Sequence, residues 1–130
     1  MKAIELLRRF LKLHRNSLEG HYLLGMSLIN NNEFQQGIDE LQHSLEIDPN
    51  YKKSLYLVIA LAYKRLTKYD EAIDVLNRGL ELYPDYYDCL VYRGKLNLKK
   101  DNYYHALKDF TDAIQINKSK GFAYIGKGMC

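Results

Sequence analysis

Side chains that could carry out catalysis or hold a metal are scattered along this sequence of 130 residues. Its four histidines are His14, His21, His43 and His105. None of them stands near a cysteine or a carboxylate at the spacing of a metal-binding motif. The carboxylates Asp109 and Asp112, like Glu40 and Glu46, are predicted to be surface charges on helices. The segment GKG at 126–128 lacks the strand and the glycine spacing of a phosphate-binding loop. We therefore predict no catalytic function, no cofactor and no metal site.

Cysteine content and net charge narrow the functional class further. Cys89 and Cys130 lie far apart and form no CxxC pair, so we expect no disulfide framework and a reducing, cytoplasmic compartment. The net charge of +3 is too small to indicate nucleic-acid or membrane binding by itself. The start of the chain does not read as a signal peptide, and we predict no membrane span. The basic segment LLRRFLKLHR at 6–15 would also fit a partner helix or a membrane-surface helix.

Small residues recur along the chain with a period of 34 or 35 residues. One series is Ala3, Gly37, Ala72 and Ala106, and a second is Gly25, Ala60, Gly94 and Gly128. A large apolar residue follows each member of the first series by four positions: Leu7, Leu41, Leu76 and Phe110. Such a period predicts stacked helix pairs, in which small residues lie where two backbones approach closely.

Each period contains two predicted helices joined by a polar turn. The first helices are predicted at about 19–31, 53–66 and 87–100, and the second helices at about 34–47, 69–82 and 103–116. Pro49 and Pro84 follow two of the second helices and are expected to end them, because proline disfavours helix in the residue before it.

The helix–turn–helix period resembles the tetratricopeptide repeat family over nearly the whole chain. The third unit, VYRGKLNLKKDNYYHALKDFTDAIQIN at 91–117, carries the Gly, aromatic, Ala, Phe and Ala series in full. The resemblance implies an all-α fold, a right-handed α-α superhelix (solenoid) of antiparallel helix pairs. The predicted parts are a half-repeat at 1–17, three repeats at 18–52, 53–86 and 87–120, and the truncated start of a further repeat at 121–130. Half-repeats at both ends lead us to expect a fragment of a longer solenoid.

The first helices of this family line a concave groove, so the resemblance implies a peptide-binding groove in this chain. The residues that project onto it are Tyr22, Met26, Leu57, Leu61, Lys64, Arg65, Val91, Lys95 and Lys99. Its apolar members would anchor a helical or extended peptide of a partner protein, and its cations would favour acidic residues in that peptide. The alternative is that the apolar members are ordinary core residues and that the lysines are only solvated.

One subclass of the family clamps the carboxylate tails of heat-shock chaperones with Lys, Asn and Arg side chains. The matching positions here hold Tyr22, Met26, Val58, Asp88 and Tyr92. In the register one repeat later they hold Leu57, Leu61, Tyr92, Phe122 and Gly126. Neither register supplies the charged groups, so we predict a scaffold without this clamp.

Two other functions stay open from the sequence. The chain could be a structural segment of a longer repeat protein with little binding of its own. RNA binding is less favoured, because the basic edge from Lys64 to Lys99 is short and Asp88 interrupts it. Self-association through the truncated C-terminal end is a further expectation.

Overall fold

The computed structural model describes the backbone of residues 2–129 and the side chains of residues 3–118. Its helices are α1 (Lys2–Leu13), α2 (Leu18–Asn30), α3 (Phe34–Ile47), α4 (Ser54–Arg65), α5 (Tyr69–Leu82), α6 (Tyr87–Lys99) and α7 (Tyr103–Met129). The described backbone contains no strand, and the predicted all-α class is confirmed. The chain divides into two compact units, residues 1–72 and 73–130, and α5 runs through the division.

The last helix, α7, is much longer than predicted. Its end was expected near residue 116, and its backbone instead stays helical to Met129. A proline follows both α3 and α5 by two residues, whereas the segment INKSK at 116–120 contains none. The helix therefore continues, because nothing there removes a backbone donor or clashes with the preceding turn. The side chains of Phe122, Gly126 and Cys130 lie outside the described residues, and the division into repeats stays a prediction.

The turns after α2, α4 and α6 share one backbone conformation. A residue with positive φ stands in each of them: Asn32 at 64°, Thr67 at 58° and Asp101 at 61°. The next residue donates its N–H to a carbonyl five positions earlier, as in Glu33 to Leu28 at 2.9 Å, Lys68 to Tyr63 at 2.9 Å and Asn102 to Asn97 at 2.8 Å. This Schellman arrangement satisfies carbonyls that the end of a helix would leave unpaired.

Thr67→Gly should raise the free energy of unfolding by about 1 kcal/mol, because a β-branched residue is strained in the left-handed region and glycine is not. Urea denaturation followed by circular dichroism measures the change. Thr111→Gly is the matched control: Thr111 is exposed within α7, where glycine is a poor helix former, so this variant should be less stable. A loss of stability in Thr67→Gly would contradict the strain argument.

An apolar cluster between α1 and α2 forms part of the core of the first unit. Ile4 of α1 is buried against Leu24 and Leu28 of α2, and Leu7 and Leu11 pack against this cluster. The basic segment at 6–15 therefore contributes leucines to the core, as its place in the repeat pattern predicts.

Two glycines allow α2 and α3 to approach closely in the first unit. A Cβ atom on Gly37 would lie 2.9 Å from the carbonyl oxygen of Gly25 and 2.7 Å from Cδ1 of Ile29. A Cβ atom on Gly25 would lie 2.6 Å from Cδ2 of Leu41. Neither position has room for a side chain, which confirms the predicted reason for small residues here.

In the second unit, a glycine of α6 likewise lies where an added side chain would have no room against α7. A Cβ atom on Gly94 would lie 2.8 Å from Cε1 of Phe110. Ala106 and Ala113 of α7 are both buried, and Phe110 lies between them in sequence. Phe110 therefore fills the space that Gly94 leaves open.

Candidate functional site

The first part of the predicted groove consists of half-buried apolar side chains on α2 and α4. Tyr22 and Met26 lie one turn apart on α2, and Leu57 and Leu61 lie one turn apart on α4. All four keep part of their surface exposed, unlike the fully buried Leu24 on α2 or the core residues of α4. Each pair forms a stripe along its own helix that a partner could contact.

An aromatic cluster surrounds Tyr22. Its ring meets the Tyr51 ring edge-on, with the centroids 5.7 Å apart. The Nζ atom of Lys52 lies 5.1 Å from the Tyr22 centroid and 5.2 Å from the Tyr51 centroid, within reach of a cation–π interaction. Tyr51 and Lys52 were not predicted as site residues, because they stand in the turn after Pro49 rather than on a first helix. Their aromatic and basic character, directly after the DPN turn, is the signal that could have identified them.

The cations at the end of α4 differ in their surroundings. Lys64 is half-buried and Arg65 is exposed. The guanidinium carbon of Arg65 lies 5.0 Å from the centroid of the Phe34 ring, at the start of α3. This cation–π contact holds the Arg65 side chain in place, while the charge stays at the surface.

The remaining predicted groove residues lie on α6 and belong to the second unit. Val91 is half-buried, and Lys95 and Lys99 are exposed at intervals of one turn from it. The Nζ atom of Lys95 lies 5.1 Å from the centroid of the Tyr92 ring. These three residues therefore form a stripe of their own, with one apolar member and two cations.

A histidine–carboxylate pair holds part of the first unit together. His21 is only 8% exposed, and its Nδ1 and Nε2 atoms lie 2.6 Å from Oε1 of Glu40 and 2.6 Å from the carbonyl oxygen of Arg15. The His43 ring stacks on the His21 ring, with the centroids 4.0 Å apart. Glu40 was predicted to be a surface charge, and it is instead half-buried, because the fold brings His21 of α2 and Glu40 of α3 together.

The second unit contains a buried ion pair that was also not predicted. Asp109 of α7 is 3% exposed, and it accepts hydrogen bonds from Arg93 Nε at 2.9 Å and from Arg93 Nη2 at 2.6 Å. Arg93 Nη1 donates to Oδ1 of Asn77 at 2.8 Å, and Asn97 Nδ2 donates to the carboxylate at 3.3 Å. The predicted surface position of Asp109 is therefore wrong, whereas Asp112 is exposed as predicted. This network joins α6 to α7 and to the part of α5 in the second unit.

The arrangement of these groups favours structural roles over catalysis. Both ring nitrogens of His21 are engaged, by a carboxylate and by a backbone carbonyl, so neither is left for a substrate. A separate question is whether the chain could hold a metal ion. Among the described residues, no group of three or more His, Cys, Asp or Glu side chains could do so. Cys89 is buried. No helix in the described part of the chain is long and apolar enough to cross a membrane.

Comparison with known proteins gives consistent matches. A family model described as tetratricopeptide repeat matches residues 18–51 and 54–86. The DnaJ homolog subfamily C member 3 homolog of Dictyostelium discoideum is 29% identical over 101 residues, which are 75% of this chain and 20% of that protein. Anaphase-promoting complex subunit 3 of the same organism is 28% identical over 103 residues, 77% of this chain and 10% of that protein. A crystal structure of MamA matches with a TM-score of 0.83 and 26% identity, covering 91% of this chain and 68% of that chain. This chain thus spans one fifth or less of the length of the two curated relatives.

Proposed function

Because this chain belongs to the tetratricopeptide repeat family, a family of protein-interaction scaffolds, we propose that it binds a peptide or helix of a partner protein along α2 and α4. The observation that carries this proposal is the pair of half-buried apolar stripes on these helices, Tyr22 with Met26 and Leu57 with Leu61. The role is non-catalytic and needs no cofactor. We propose that it acts in a reducing, cytoplasmic compartment, because Cys89 and Cys130 lie far apart in the sequence and form no CxxC pair.

The apolar stripes would supply most of the binding free energy. Leu57 and Leu61 are followed on the next turn of α4 by the cations Lys64 and Arg65, of which Arg65 is held against the Phe34 ring. A partner peptide would place aliphatic or aromatic residues on the leucines and carboxylates near these cations. Lys52, beside the Tyr22 and Tyr51 rings, adds a further positive charge in the first unit.

The stripe of Val91, Lys95 and Lys99 on α6 is proposed as the binding surface of the second unit. It has the same composition as the end of α4, with one apolar residue and two cations at helical spacing. It would accept the same kind of acidic segment.

Leu57→Glu combined with Leu61→Glu should weaken binding of a partner peptide at least tenfold, because each change places a carboxylate where an apolar anchor is needed. Acidic amphipathic peptides selected on the wild-type chain from a display library provide the probe, and fluorescence anisotropy measures their affinity. Amidation of the peptide's C-terminus should leave the affinity unchanged, since we predict from the sequence that this chain lacks the carboxylate clamp.

Leu82→Glu is the matched control, because Leu82 is 44% exposed on α5 and lies outside the proposed groove. It should leave the affinity unchanged, and circular dichroism must show that all three chains remain folded. Equal affinity of the wild type and the double variant would contradict the groove. Failure of the library to yield any peptide would favour the alternative of a structural segment with little binding of its own.

A further inference from the structure

A cleft between α1, α2 and α3 is a separate feature of the first unit. Its volume is about 340 Å³, and it opens beside the His21–Glu40 pair. The α2 residues that line it, His21 and Leu24, differ from the Tyr22 and Met26 stripe of the proposed groove. The cleft is thus available to a ligand of its own.

Cations dominate the rim of this cleft. Arg8, Lys12 and Arg15 line it, against the single carboxylate of Glu40. Glu40 is already engaged by the His21 ring at 2.6 Å, whereas Lys12 and Arg15 are exposed and form no ion pair within residues 3–118. Arg8 donates from Nη2 to Oε1 of Gln36 at 2.8 Å, which steadies its guanidinium. The cleft therefore carries an excess of positive charge that the described residues do not neutralise.

The floor of the cleft is apolar and fixed. Leu24 is 2% exposed, and Leu11 packs partly buried against the cluster that Leu24 forms with Ile4 and Leu28. A ligand that entered the cleft would contact mainly the half-buried Leu11 at its floor, since Leu24 is almost fully covered, and the cations at its rim. An aliphatic side chain flanked by anions complements both parts.

We propose that this cleft binds an acidic segment of a protein partner that carries an aliphatic residue between its carboxylates. The lining favours this ligand over single-stranded nucleic acid, because it offers leucine where bases would need exposed aromatic rings to stack on. It also favours a peptide over a membrane surface. The exposed apolar residues of α1, Leu6, Phe10 and Leu13, do not line the cleft. The side chains that could insert into a membrane are therefore separate from the cations that line the cleft.

The test uses a fluorescein-labelled peptide in which a central leucine stands between two Asp-Glu pairs. Its affinity for the full chain is measured by fluorescence anisotropy at low salt. Lys12→Gln with Arg15→Gln should weaken binding about tenfold, since two charge-assisted contacts are lost. Arg78→Gln with Lys118→Gln removes the same net charge from exposed positions elsewhere and should leave the affinity unchanged.

Further measurements decide whether the peptide binds in the cleft or elsewhere on the chain. If the Leu57→Glu, Leu61→Glu variant still binds the peptide, the result would support a site distinct from the proposed groove. If that variant loses binding while the Lys12→Gln, Arg15→Gln variant keeps it, the peptide binds in the groove and the cleft proposal is overturned. A version of the peptide that carries phosphoserine could bind more tightly, with the same dependence on Lys12 and Arg15. That result would support binding in the cleft and would identify a phosphoryl group as the anion. Equal weakening by both charge variants, or displacement of the peptide by anionic vesicles or an RNA oligonucleotide at lower concentration than unlabelled peptide, would overturn the proposal.

Discussion

Replacing Arg93 with methionine should lower the free energy of unfolding by about 3 kcal/mol, the largest effect we expect from a single substitution in the second unit. The change leaves the carboxylate of Asp109, whose side chain is only 4% exposed, buried without its cation. The hydrogen bond from Asn97 at 3.3 Å is too long to compensate for two bonds from a guanidinium. Urea denaturation followed by far-ultraviolet circular dichroism measures the loss.

A double-mutant cycle tests whether the cost comes from the unpaired charge. Arg93→Met combined with Asp109→Leu should recover most of the lost stability, because replacing both partners removes the buried charge together with its need for a cation. Arg78→Met on the exposed face of α5 is the control and should change stability by less than about 0.5 kcal/mol. A double variant that loses as much as both single variants together would show that the unpaired charge is not the cause.

Gly37→Val should destabilise the first unit by about 3 kcal/mol, because it forces a branched side chain between two backbones in contact. The first added atom alone would lie 2.9 Å from the carbonyl oxygen of Gly25, a group of the helix backbone that cannot rotate away. Thermal and urea denaturation measure the effect. Glu46→Val introduces the same side chain at an exposed position of the same helix and should cost less than about 1 kcal/mol.

A second variant distinguishes the backbone contact from the side-chain contact at Gly37. Ile29 Cδ1 lies 2.7 Å from the added atom, so Ile29→Ala would remove that obstacle. Combined with Gly37→Val, it should fail to restore stability, since the carbonyl oxygen of Gly25 stays in place. Full restoration would show that the Ile29 side chain, and not the carbonyl oxygen of Gly25, is the obstacle to a side chain at position 37.

Much of the fold could be predicted from the sequence, because the recurring small and large apolar residues mark the positions at which the helices pack. The bounds of α3 and α5 agree with the prediction, since a polar turn precedes each helix and a proline follows it. The length of α7 did not follow, because the end of a helix depends on a stop signal that the third repeat lacks. Whether Tyr22, Leu57 and the other groove residues bind a partner stays a prediction, since half-burial does not identify a ligand.

The polar pairs were missed because a helix-surface carboxylate and a buried carboxylate look alike in sequence. Asp109 nevertheless stands three residues after Ala106 and four before Ala113, on the face that those alanines bury. His21 occupies the repeat position that Tyr56 and Leu90 occupy in the later repeats, and both of these are buried. Aligning the repeats by their period would have marked both polar residues as core positions that need a partner.

From the same alignment we expect the buried pair of the third repeat to disfavour one incorrect pairing of helices during folding. Equivalent positions hold Glu40, Val75 and Asp109 on the second helices, and Leu24, Ile59 and Arg93 on the first helices. An incorrect assembly with α5 in the place of α7 would put Val75 where Asp109 stands, so the half-buried Arg93 guanidinium would lose its carboxylate partner. Similar repeats favour domain-swapped and misregistered products, and we expect the Arg93–Asp109 pair to penalise those in which α5 takes the place of α7.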